Sequence, residues 1–116
     1  MEQYINLAEG LGRIRGNKKL YVMMLGMFLN GKEADALEKN LERGDITAAH
    51  ESVHAIKGVT GNLSFTALFA ISSALMDSFK VGKRDETMIE DFRETFKKTV
   101  EYATTLKGEL EAELGI

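Results

Sequence analysis

Neither cysteine nor proline occurs among these 116 residues, and histidine occurs only twice. Without cysteine there is no disulfide framework, no thiol nucleophile and no thiolate metal site, which suits a reducing compartment. Without proline nothing stops a helix by ring geometry, so breaks must come from glycines and capping side chains. No apolar run approaches the roughly 20 residues that cross a bilayer, and the opening MEQYINLAEGLGRIRG has no signal-peptide core. A cytoplasmic location with no membrane partner is therefore expected. Basic surplus is lacking as well. A net charge of −3 argues against a nucleic-acid partner, because tracking phosphates needs an excess of Lys and Arg. The one basic concentration, Arg13, Arg15, Lys18 and Lys19, reads as a solvated segment between helices.

What remains is the composition of an ordinary globular protein, 44% hydrophobic and 28% charged. The length supports one hydrophobic core but not two, so residues 1–116 are read as a single domain, without repeat or linker.

Every segment between the breaks carries helical periodicity, and none alternates as a strand would. Residues 2–10 read as a short amphipathic helix, with Leu7, Leu11 and Ile14 on its apolar side. Asn17 caps a helix to Asn30 that buries Leu20, Met24, Leu25 and Phe28 and leaves Tyr21 at the margin. Past the Asn30-Gly31 stop, residues 33–43 turn Ala36, Leu37 and Leu41 inward, and Arg43-Gly44-Asp45 gives a sharp reversal. Ala49, Val53, Ile56, Thr60 and Leu63 then form a bundle seam. Ser64 can cap the next helix, with Leu68, Ile71, Leu75 and Phe79 as its core stripe. Phe69 and Met76 fall off that stripe and are expected to be buried against another helix, an apolar rim being the alternative. After Val81–Asp85 a long helix carries Ile89, Phe92, Phe96, Val100, Ala103, Leu106 and Leu110, with an acidic end expected to fray from Gly108. The fold class is all-α, an up-and-down four-helix bundle with one or two additional short N-terminal helices.

The stretch HESVHAIKG, His50 to Gly58, supports two readings. H-E-x-x-H is a zinc-hydrolase pattern, with His50 and His54 one turn apart as ligands and Glu51 as base. A catalytic zinc needs a third protein ligand, and only a distant carboxylate such as Asp77 or Glu86 remains to supply it. The second reading starts from the seam. His54 is turned about 100° from Val53, towards solvent, with Lys57, Gly58 and Gly61 on its own face. Two glycines inside a helix cost about 0.5 to 1 kcal/mol each against alanine, so they call for a reason. Access is one: bare backbone lets another protein's site reach the imidazole, and the Lys57 ammonium can neutralise a phosphoryl group placed on it.

Here the sequence resembles the histidine phosphotransfer (HPt) domains of multistep phosphorelays. AAHESVHAIKGVTGNLSFTAL looks like their phosphorylation helix, with H-x-x-K-G followed by small residues and then Asn62 and Leu63. NKKLYVMMLGMFL resembles their first bundle helix, LERGD the turn into the histidine helix, and SSALMD the usual L-x-E ending, with Asp77 where glutamate is common. Two departures are small-for-small: Ser64 stands where many members have glycine, and Gly61 where alanine is more usual. His50 is not a family requirement and reads as a partly exposed helical histidine.

The resemblance implies a phosphocarrier without independent kinase activity, and no nucleotide-binding motif is present. His54 would be the phosphoacceptor, through Nε2 in the family, and Lys57 would compensate the charge. Gly58, Gly61, Asn62 and Ser64 would bind the partner, a response-regulator receiver domain or a hybrid sensor histidine kinase. No metal site and no cofactor of its own are expected, since the receiver would hold Mg²⁺. The expected state is a monomer, and the initiating Met1 and acidic tail point to a free-standing chain. The alternatives are a helical module that binds receivers without carrying phosphate, and the zinc hydrolase.

Overall fold

The computed structural model describes residues 3–116 and contains, among them, six helices and no strand: α1 (Leu7–Gly12), α2 (Lys18–Asn30), α3 (Glu33–Glu42), α4 (Ile46–Leu63), α5 (Thr66–Lys80) and α6 (Glu86–Leu114). With no proline to punctuate the chain, short polar side chains set the starts. Asn6, Asn17, Asp45 and Asp85 each accept a hydrogen bond from the backbone N–H three residues on, at 3.0–3.1 Å. Such a cap contributes about 1 kcal/mol and fixes where the helix begins. Gly44 closes α3 with φ +69°, which lets the Asp45 N–H return to the Asn40 carbonyl at 2.9 Å before α4 departs.

The helix α6 is the longest, about 43 Å at 1.5 Å per residue, and spans nearly the whole 46 Å molecule. One wall facing it is made of two pieces. Lys18 of α2 pairs with Glu113, the Phe28 and Phe96 rings lie 5.7 Å apart, and Glu38 of α3 pairs with Arg93 at 2.8 Å. Sequence numbers rise along α2 and α3 as they fall along α6, so these two helices form one antiparallel wall, broken after Asn30. The remaining walls are α4 and α5, which pack extensively on each other, α4 also on α3 and α5 also on α6. This is the expected up-and-down four-helix bundle. A single core runs through it from Leu25 and Leu41 to Val53, Leu68, Phe92 and Leu106. No described helix is long and apolar enough to cross a membrane.

The seam of α4 is buried as its spacing predicts: Ala49, Val53, Ile56, Thr60 and Leu63 all face the core. Several other expectations are corrected. The first helix starts at Leu7, capped by Asn6, and not at residue 2, which lies outside the described residues. Tyr21 is fully buried, because its hydroxyl reaches a backbone acceptor, the Leu63 carbonyl, at 2.7 Å. Ala36 is exposed, and Asn40 takes an inward position by donating to Ser52 Oγ at 3.1 Å. Along α5, Ser72 is buried and Ile71 half-buried. The last helix continues through Gly108 to Leu114, where Lys107–Glu111 and Lys18–Glu113 pairs line it.

Ser64 does not cap α5. It closes α4 in the left-handed conformation, φ 57° and ψ 45°, a position that favours glycine. The strain is offset by a local network. Ser64 Oγ donates to Glu9 Oε1 at 2.8 Å and accepts from Arg13 Nε at 3.1 Å, while its carbonyl accepts from Asn6 N at 2.9 Å. These contacts hold α1 across the end of α4. The Ser64 hydroxyl, and then Arg13, hold the Glu9 carboxyl below its ordinary value.

Candidate functional site

The outer face of α4 carries Glu51, His54, Ala55, Gly58, Val59 and Asn62, all exposed. The buried seam lies opposite, so the register of Val53, Ile56 and Thr60 against the core is what turns His54 to solvent. Core packing thus presents the imidazole on a rigid element, more than two turns after the Asp45 cap.

Bare backbone follows. A Cβ built on Gly58 would meet nothing within 4 Å, so this glycine is not there to admit a neighbouring helix. Gly61 differs. A Cβ there would stand 3.3 Å from Phe69 Cε2, so the aromatic ring of α5 lies against the α4 backbone at that point. Lys57 is half-buried on the same side, with Nζ 5.6 Å from the Phe69 ring centroid. Phe69 is 40% exposed, and the burial expected for it is corrected; Met76 is half-buried and packs against the core.

The structure therefore brings His54, Lys57, Gly58, Gly61 and Asn62 onto one side of α4. It does not bring Ser64 with them. Ser64 is 3% exposed and bound to Glu9 and Arg13, so it has no surface to offer a partner.

His50 lies one turn before His54, with ring centroids 6.3 Å apart. Its Nε2 is buried and, among the described residues, has no hydrogen-bond partner. Among the described residues no three histidine, aspartate or glutamate side chains gather where they could hold a metal ion, so none of these stands as a third zinc ligand with His50 and His54. Asp77 is exposed on α5.

One surface feature escaped the sequence reading. Met23 and Met27, four residues apart on α2, are 61% and 68% exposed, and Met27 borders an apolar recess of about 240 Å³. Val59 and Asn62 of α4 form its other side. The available signal was a surplus: with Tyr21, Val22 and Leu25 filling the inner face, apolar residues at 23 and 27 must face out.

A family model described as Hpt domain matches residues 24–112, from the middle of α2 to near the end of α6. No curated protein and no solved structure matches the chain.

Proposed function

The chain belongs to the Hpt domain family, whose members serve phosphorelays as phosphocarriers, and on that premise we propose that it relays a phosphoryl group between receiver-domain aspartates through His54. The observation that carries this reading is the exposure of His54 in mid-helix, with Lys57 one turn on and open space over Gly58. An imidazole in its neutral form is a good nucleophile near pH 7, and its phosphoramidate stays labile enough to give the group up again.

In the transfer step the Nε2 lone pair of His54 attacks the phosphorus of an aspartyl phosphate. The N–P bond forms, the P–O bond to the aspartyl carboxylate breaks, and the carboxylate leaves with the electron pair. Nδ1 keeps its proton. Onward transfer is the same step reversed, onto a second aspartate. In-line phosphoryl transfer depends on positioning and charge compensation, and Lys57 can supply one charge-assisted hydrogen bond to the transferred group. Mg²⁺, which would neutralise further charge, is assigned to the receiver's acidic pocket, so the carrier needs no cofactor of its own.

The partner would dock over Gly58, Gly61 and Asn62: open space over Gly58 leaves the approach to His54 clear, and the Phe69 ring that lies against Gly61 would border the contact. The exposed Met27 and Val59 extend that surface with apolar area suited to a small, transient contact. The test is transfer of labelled phosphoryl from a panel of phosphorylated receivers. Acid-labile label should appear on the wild-type chain and on His50→Gln and vanish with His54→Gln. Label retained by His54→Gln, or a chain that binds receivers without becoming labelled, overturns the proposal; the latter result would establish a receiver-binding module.

A further inference from the structure

Among the described residues the Lys57 ammonium has no carboxylate partner, and the interaction the structure gives it is with an aromatic ring. Nζ stands 5.6 Å from the centroid of Phe69, within the range of a cation–π contact. The ring is 40% exposed, so core burial does not account for its position. Gly61 does, because the ring edge rests where a Cβ at 61 would crowd it at 3.3 Å. Lys57 and Gly61 are four residues apart on α4, and Phe69 reaches both from α5. The three residues form one unit on the His54 side of α4, with Lys57 three and Gly61 seven residues beyond the histidine.

We infer that Phe69 is a positioning residue for phosphoryl transfer, holding the Lys57 ammonium on the His54 side of α4 until a phosphoryl group on His54 draws it away. The inference rests on the carrier reading above. A lysine side chain has many rotamers, and an exposed cation–π contact biases their population roughly two- to fivefold. A carboxylate at position 69 would hold the ammonium too, but it would also repel an incoming phosphoryl dianion. The ring carries no formal charge and binds weakly, so Lys57 can leave it for a stronger charge-assisted hydrogen bond.

The experiment has one arm that needs no phosphate and one that does. Proton NMR of the wild-type chain should show the Lys57 ε-methylene displaced by the ring current of Phe69, a displacement that Phe69→Leu removes and Phe69→Tyr keeps. In transfer from a saturating phosphorylated receiver, Phe69→Leu should slow the maximal rate about two- to fivefold with half-saturation unchanged, and Phe69→Tyr should restore it. With Lys57→Met already present, Phe69→Leu should add nothing. An undisplaced ε-methylene, an equal effect of Phe69→Leu with and without Lys57, or a change confined to half-saturation each overturns the inference. A wild-type chain that shows the displacement but takes no label refutes the carrier reading, and with it the role of Phe69 in transfer, while the contact itself stands.

Discussion

The hydroxyl of Tyr21 donates a 2.7 Å hydrogen bond to the carbonyl of Leu63, the last residue of the helix that carries His54. A Cβ on Gly10 would stand 2.8 Å from Tyr21 Cε2 and 3.0 Å from that same carbonyl oxygen, so α1, α2 and the end of α4 meet at one point. Carbonyls in the last turn of a helix lack intrahelical partners, and here a buried phenol supplies one. Tyr21→Phe should leave the acceptor buried and unpaired, at a cost of about 1–3 kcal/mol. Urea unfolding measures this directly, and an unchanged midpoint would mean that the hydrogen bond contributes nothing net.

The same burial pushes the Tyr21 hydroxyl up to about 12 from an ordinary 10. Folding therefore favours the protonated phenol: its contribution is complete below pH 10 and is lost as the pH rises from 10 through about 12. Carboxylates give the opposite sign at the acid end. Glu9, held down by Ser64 and Arg13, and Glu38, held down by the Arg93 hydrogen bonds, contribute above the ordinary 4.5. That stability is lost as pH falls through their depressed values. Unfolding midpoints across pH should decline at both ends, and Glu38→Gln should flatten the acid limb.

Ser64 tests how a left-handed position is maintained without glycine. Its φ of 57° strains any residue with a Cβ by roughly 1–2 kcal/mol, and its hydroxyl offsets this through Glu9 and Arg13. Ser64→Ala keeps the strain and loses the bonds, so it should destabilise by about 1–2 kcal/mol. Ser64→Gly loses the bonds and the strain together and should lie near wild type. Equal destabilisation by both variants would show that the network, and not the backbone, dominates.

Much of this was legible in the sequence. The four-three spacing of Ala49, Val53, Ile56, Thr60 and Leu63 gave the orientation of α4, and with it the exposure of His54 and Gly58, because burial of one face dictates the other. Asn17 and Asp45 were readable as caps because capping depends on local geometry. Tyr21 and Ser64 were misplaced for a common reason. Each is polar, and each is buried by a partner remote enough that no local pattern announces it: Leu63 for Tyr21, Glu9 and Arg13 for Ser64. Phe69 was expected inside because it is apolar, whereas its position follows from the missing side chain of Gly61.

Gly58 separates stability from function most sharply. Its site is helical and open, with nothing within 4 Å of an added Cβ, so alanine brings no clash and a better helix propensity. Gly58→Ala should therefore raise stability by about 0.5–1 kcal/mol. The same methyl would stand one turn beyond His54, on the surface assigned to the docked receiver. If that surface is packed against the partner during transfer, the methyl overpacks it at a cost of about 1–3 kcal/mol, slowing transfer on the order of five- to a hundredfold. Thermal unfolding and transfer kinetics on the one variant decide the matter. A more stable protein that transfers at the wild-type rate would place the partner elsewhere on α4, whereas a more stable protein that transfers slowly ties the bare backbone at 58 to access.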